Sequence, residues 1–234
     1  MSLPPGEIDA LVALGAPVLC VDTCTVLDVM RDITREEVRP ADARCGLELL
    51  QAAETGSKLI VLMLHQVQFE LGSNLTEVEE DAKGKLAKFQ RNAQRIHEVA
   101  TVFGATGTMT TSHLNGHVAR GLAVVQRWKA VSRFVPDNAG VTGRAFARVN
   151  ACRTPATLGK QSMKDCVVAE GYIEAAGQLR AAGMVLPIVF ASANTKDYRM
   201  PNTARLKQDI QEDFDDVGLS YASNFGAAKS LLAL

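Results

Sequence analysis

Three acids in this chain stand where strands or their following turns end. Asp22 closes the run Pro17-Val-Leu-Cys-Val-Asp22. Glu70 lies on the helical stretch that follows Lys58-Leu-Ile-Val-Leu-Met63. Asp197 sits in the turn after Met184-Val-Leu-Pro-Ile-Val-Phe-Ala-Ser192. In an open parallel sheet, ligands bind outside the carboxyl ends of the strands, so acids at these positions face one crevice. Carboxylates gathered there suit a hard divalent ion, Mg²⁺ or Mn²⁺, which takes oxygen ligands and keeps several waters. Such a set can activate a water and neutralise charge building on a phosphate under in-line attack. Carboxylates held together also repel, so some of them should titrate high when no ion is bound.

Each acid also has a plainer reading. Asp22 can cap the helix that follows it. Glu70 can be an ordinary surface residue, and Asn194-Thr-Lys-Asp197 can be turn chemistry. Asp165 opens a later helix, where Ser162-x-x-Asp165 fits a capping box. Its place at the same edge is not forced by the order of elements.

The elements that must position these residues alternate strand with helix. Apolar runs of strand length are expected at about 17–22, 58–63 and 184–192, continuous as in strands buried on both faces. Phe134-Val-Pro136 reads as a short edge strand, where a proline is tolerated. Residues 217–220 read as a further short strand. Helices are expected at about 6–15, 24–32, 41–55, 65–72, 75–102, 112–132, 141–151, 162–182, 203–215 and 222–233. The 75–102 stripe is Leu86, Phe89, Ala93, Ile96 and Val99-Ala100; the 112–132 stripe is Leu114, Val118, Leu122, Val125 and Trp128. The pattern predicts an α/β protein with a parallel sheet and helices on both faces, a single domain over 1–234 with a helical insertion at about 75–132.

Four pieces of the chain together resemble the PIN-domain nucleases. They are Val21-Asp22-Thr23 with Leu27 after it, Val67-Gln-Phe-Glu70-Leu, Lys164-Asp165-Cys-Val-Val-Ala, and Phe190-Ala-Ser192-Ala-Asn194-Thr-Lys-Asp197-Tyr198. The resemblance implies a three-layer α/β/α fold with sheet order 3-2-1-4-5 and metal-dependent cleavage of RNA phosphodiesters. It implies that Asp22, Glu70, Asp165 and Asp197 surround the metal, with Thr23, Ser192 and Asn194 as polar support. Glu70 and Asp165 are 95 positions apart, wider than in compact members that act as toxins. A larger subclass with an added helical arm is the closer analogy. The alternative is a PIN-like module without catalysis that binds RNA or a protein partner. A phosphatase on a similar sheet is disfavoured, because Asp22-Thr-Cys lacks the second acid of an Asp-x-Asp nucleophile motif.

Composition narrows the partners. The chain has 234 residues, 47% hydrophobic and 22% charged, with net charge −1. No apolar run approaches the ~18 residues of a membrane span. Five irregularly spaced cysteines read as reduced thiols in a cytoplasmic protein. Cys166, beside Asp165, has no evident base to make it a nucleophile. His113 and His117 are four apart but lack the Glu of a metalloprotease helix, and with His65 they read as surface or packing residues. Residues 99–164 carry nine Lys and Arg against one acid, Asp137. Within and beside that segment, Arg144, Arg148, Arg153, Lys160, Lys164 and Lys196 are the candidate nucleic-acid contacts, positioning phosphates without reading sequence. RNA is the expected partner, with DNA left open, and an inhibitor protein or a second copy of the chain left open as well.

Overall fold

The computed structural model describes residues 3–160 and 162–234. Its centre is a five-stranded sheet, all parallel, in the order β3-β2-β1-β4-β5. β1 (Val18–Val21), β2 (Ile60–Leu64) and β4 (Ile188–Ala191) are buried at every position, which is why their sequences are unbroken apolar runs. β3 (Arg133–Val135) and β5 (Leu219–Ala222) are the edges and carry exposed positions. Val18 pairs with Ile60 on one side and Ile188 on the other, so the three central strands run in step. Their carboxyl ends form one edge.

Helices lie on both faces. α3 (Pro40–Glu54), α5 (His117–Val131) and α10 (Phe225–Leu232) pack together, with Trp128 stacked on Phe225 at 5.0 Å between ring centroids. α1 (Pro5–Ala13), α6 (Ala139–Asn150) and α7 (Met163–Ala181) form a second group, with α7 against β2. The arrangement is a three-layer α/β/α fold. Tyr172 of α7 ties the central strands together at depth. Its hydroxyl donates to the carbonyl of Val21 at 2.5 Å and accepts the Leu64 amide at 3.4 Å. Among the described residues, no helix is long and apolar enough to cross a membrane.

Several boundaries differ from expectation. The helices expected at 65–72 and 75–102 are one helix, α4 (His65–Val102). Gly72 costs a helix about 1 kcal/mol but does not end it, and Leu71, Leu75 and Val78 hold the junction against the core. The apolar stripe of α4 is only half used. Leu86 is buried where α4 meets α5, but Phe89, Ile96 and Val99 are exposed. β4 begins at Ile188 rather than 184, since Pro187 has no amide to donate and Arg180 takes the carbonyls of Met184 and Leu186. α9 (Gln208–Asp216) begins later than 203, behind a turn in which Asn202 has φ +57°. His113 and His117 do not share a helix, because Gly116 at φ +70° separates a 3-10 turn (Ser112–Leu114) from α5.

Two helical glycines should respond oppositely to alanine. A Cβ on Gly121 would meet the Met30 Cβ at 2.7 Å and its Cα at 3.0 Å, whereas Gly84 of α4 faces open space. Gly121→Ala is expected to lose about 1–3 kcal/mol through overpacking, and Gly84→Ala to gain about 0.5–1 kcal/mol through helix propensity. Urea unfolding of the two variants checks the pair of signs.

Candidate functional site

The chain runs outward from β1 in two directions, to β2 and β3 on one side and to β4 and β5 on the other. The crossover therefore lies between β1 and β4, the place where open α/β sheets bind ligands. Asp22 follows β1 there and Ser192 follows β4. The Ser192 hydroxyl donates to Asp22 Oδ2 at 2.6 Å. Asp22 also caps the short helix α2 (Thr23–Leu27), its Oδ1 accepting the Thr23 amide at 2.7 Å. The capping reading of Asp22 is realised in the Thr23 bond. The Cys24 thiol makes a third contact, on Oδ2 at 3.1 Å.

Thr23 links the second acid. Its hydroxyl donates to Glu70 Oε2 at 3.1 Å, and Gln66, one turn earlier on α4, donates to Glu70 Oε1 at 2.7 Å. Glu70 is thus held on the inner side of α4 and is only half exposed. On the other side of the crossover, α8 (Thr195–Tyr198) holds Asp197. Asn194 Nδ2 donates to Asp197 Oδ2 at 2.7 Å, and the Asn194 amide donates to Ser192 Oγ at 3.2 Å. Tyr198 anchors the turn, buried edge-on to Phe190 and stacked on Tyr221. Thr23, Ser192 and Asn194 each touch an acid through a side-chain donor, the polar support implied for them.

Asp165 stands in the first turn of α7. Ser162 makes no capping hydrogen bond, so the capping box the sequence allows does not form. Among the described residues Asp165 has no hydrogen-bond donor or ion pair. Burial pushes it up to about 6, and the negative charges of Asp197, Asp22 and Glu70 push in the same direction, with Lys160 opposing them. Burial also raises Asp22, with Glu70 adding to it, while Ser192, Cys24 and Thr23 pull the other way. The four acids therefore lie within electrostatic reach of one another. Asp22 is 9% exposed and Asp197 5%.

The donor chemistry of this set fits a hard divalent ion. It consists of carboxylates, two of them raised by burial and by the negative charge of their neighbours, a cost that a divalent charge would relieve. Among the described residues no three acidic, His or Cys side chains already close into a finished cage. An ion that keeps several waters needs only a few of them.

The basic residues are another matter. Arg148 is 5% exposed, and its guanidinium reaches Glu170 at 2.7 Å, Asp213 at 2.6 Å and the Thr154 carbonyl at 2.6 Å. It is a tie between α6, α7 and α9, not a surface for phosphate. Arg144 pairs with Glu170 and Glu174, and Arg153 with Asp213. Arg144, Arg148 and Arg153 look uncompensated along the chain because their acids lie on α7 and α9, and Arg127 because its partner Glu54 lies on α3. Lys160 reaches Asp197 inside the site. Lys164 and Lys196 remain exposed, without a partner among the described residues, and flank Asp165 and Asp197.

Sequence reasoning missed several supporting residues. Thr25 bridges β4, accepting the Ala193 amide at 2.9 Å and donating to the Ala191 carbonyl at 3.1 Å. Its position two residues after Thr23, on a helix too short to show a period, carried no signal. Gln66 was findable, since four residues separate it from Glu70 on one helix. Lys207 donates to the Asp197 carbonyl at 2.8 Å from a loop whose path the sequence did not show. Cys166 is buried with its thiol pushed up to about 11, first by burial, which disfavours the thiolate a nucleophile needs. His65 pairs with Asp137 at 2.6 Å at the surface. No family model, curated protein or solved structure matches the chain.

Two outcomes are expected. Arg148→Ala leaves Glu170 buried without its main cation and should cost about 3–5 kcal/mol, read by urea unfolding. Asp165 holds a proton in the fold at pH values where the unfolded chain has released it, so its contribution to stability falls as pH rises from about 4 to about 6. Asp165→Asn removes that loss. It should stabilise the ion-free protein at pH 7 by about 1–2 kcal/mol, discounted for a half-exposed carboxyl. The gain should shrink towards zero near pH 4.

Proposed function

We propose that the protein is a Mg²⁺- or Mn²⁺-dependent endoribonuclease of the PIN-domain kind. The observation that supports the reading is Asp165, raised first by burial and then by the negative charges of Asp197, Asp22 and Glu70. Acids that destabilise one another in a fold are explained by what they bind. Asp22, Glu70 and Asp165 would hold the ion. When bound, the ion supplies acidification of water and neutralisation of charge on the phosphate.

The chain's own residues do the rest. Ser192 and Thr23 fix the two oxygens of Asp22 through a hydroxyl and an amide, and Gln66 and Thr23 fix those of Glu70. Neutral donors orient these carboxylates without cancelling their charge. Lys164 and Lys196, exposed beside Asp165 and Asp197, supply phosphate contacts that position the strand but read no base. In this reading solvent supplies the leaving-group proton. Acids and lysines of this kind act on phosphate, which RNA and DNA share, so DNA stays open as a substrate.

One finding favours the second reading, a PIN-like module that binds RNA or a protein without cutting. Arg144, Arg148 and Arg153 are committed to internal acids, which leaves fewer cations near the site for a nucleic-acid strand and suits a protein partner. Incubation of end-labelled random-sequence RNA with the protein and Mn²⁺ separates the two. Cleavage should appear in the wild type and fall by at least about 100-fold in Asp22→Asn and in Asp165→Asn, both still folded by circular dichroism. Cleavage retained in both variants removes the assignment. RNA retained on the protein but uncut establishes the binding module instead.

A further inference from the structure

Lys160 lies at the end of the loop between α6 and α7, and its ammonium touches both oxygens of Asp197, at 2.7 and 2.6 Å. Its charge is also felt at Asp165. The loop that delivers it is fastened. Thr154 gives its amide and hydroxyl to Asp209 at 2.6 and 2.8 Å, its carbonyl takes Arg148, and the Lys160 amide bonds the Thr157 carbonyl. The ion-pair network that removes Arg148 from the surface therefore also sets the place of Lys160.

The four acids are not treated alike. Among the described residues, Asp22 and Glu70 accept only from neutral donors, namely a hydroxyl, an amide, a thiol and a glutamine, Asp165 accepts from none, and Asp197 alone of the four has a cation, with Asn194 on one of the same oxygens. Asp22, Glu70 and Asp165 are left without a balancing ion pair, and Asp197 is balanced by Lys160. Two-ion phosphodiester sites need enough carboxylate charge to hold two divalent cations about 3.5–4 Å apart. One ammonium set against Asp197 removes a carboxylate from that set and repels a second divalent ion from the same place.

We infer that Lys160 is a built-in cation of the acidic site, standing in for a second divalent ion, so that the site holds one ion. The inference rests on the reading of the four acids as an ion-binding set. Its consequence is that the positive charge at Asp197 is supplied by the chain and does not vary with metal concentration. Asp22, Glu70 and Asp165 are the acids that respond to it.

The test is the number of Mn²⁺ ions bound per chain, by calorimetry and by the spin-coupling signature of paired Mn²⁺ in electron paramagnetic resonance. Wild type, Lys160→Arg, Lys160→Gln and Lys160→Met are compared, each confirmed as folded by its thermal melt. The Lys160 side chain is half exposed, so its loss leaves the core intact. The wild type and Lys160→Arg should bind one ion. Lys160→Gln and Lys160→Met should bind two, with the coupled signature. One ion in all four proteins overturns the inference and leaves the metal reading standing. Two ions in the wild type overturn it as well. No ion in any of them removes both.

Discussion

Asp22 brings a carboxylate to a spot that water scarcely reaches, at the point where the sheet's connections turn from one direction to the other. Charge in such a place survives only with donors around it. The site is built accordingly. Ser192 comes from the end of β4, Thr23 and Cys24 from the first turn after β1, and each spends a polar hydrogen on the same side chain. Because Thr23 also reaches Glu70 on α4, and Ser192 also takes the Asn194 amide, the donors of one acid orient the next. The in-step register of β1 with β2 and β4 makes this possible, since it brings three strand ends to one level.

Two kinds of electrostatics coexist a short distance apart. At the crossover, acids are held by neutral groups and keep their charge or their proton. Across α6, α7 and α9, acids are held by arginines and lose theirs to ion pairs. A buried ion pair adds little net stability but is expensive to break. The second region therefore behaves as a fixed frame, and the first as the part whose protonation responds to its surroundings. Lys160, on the loop between α6 and α7, reaches from the second region into the first.

The sequence was most legible where one physical cause dominates. Strands buried on both faces must be apolar throughout, so β1, β2 and β4 stood out, and with the resemblance the sheet order followed. The acids Asp22, Glu70 and Asp197 were legible because strand ends point to one edge. Asp165 was not, since nothing local says which way the first turn of α7 faces; the resemblance supplied it. The arginines misled for the complementary reason. Charge along a chain is local, while compensation is spatial, and Glu170 and Asp213 lie 22 and 65 positions from Arg148. The division of α4 into two helices was also misread, because glycine lowers helix propensity without deciding it when packing on both sides continues.

That continuity has a mechanical consequence. Glu70 sits near one end of a single stiff rod that is gripped midway, where Ala82 and Leu86 are buried against α5, and that then projects to Val102. The inner limb, from Glu70 to Ala82, is held along its length by Leu71, Leu75 and Val78 against the core, while the outer limb, from Leu86 to Val102, runs on for about 24 Å at about 1.5 Å per residue. Load on the exposed tip is therefore taken up by the packed section before it reaches Glu70, and the long arm can be grasped without disturbing the acid.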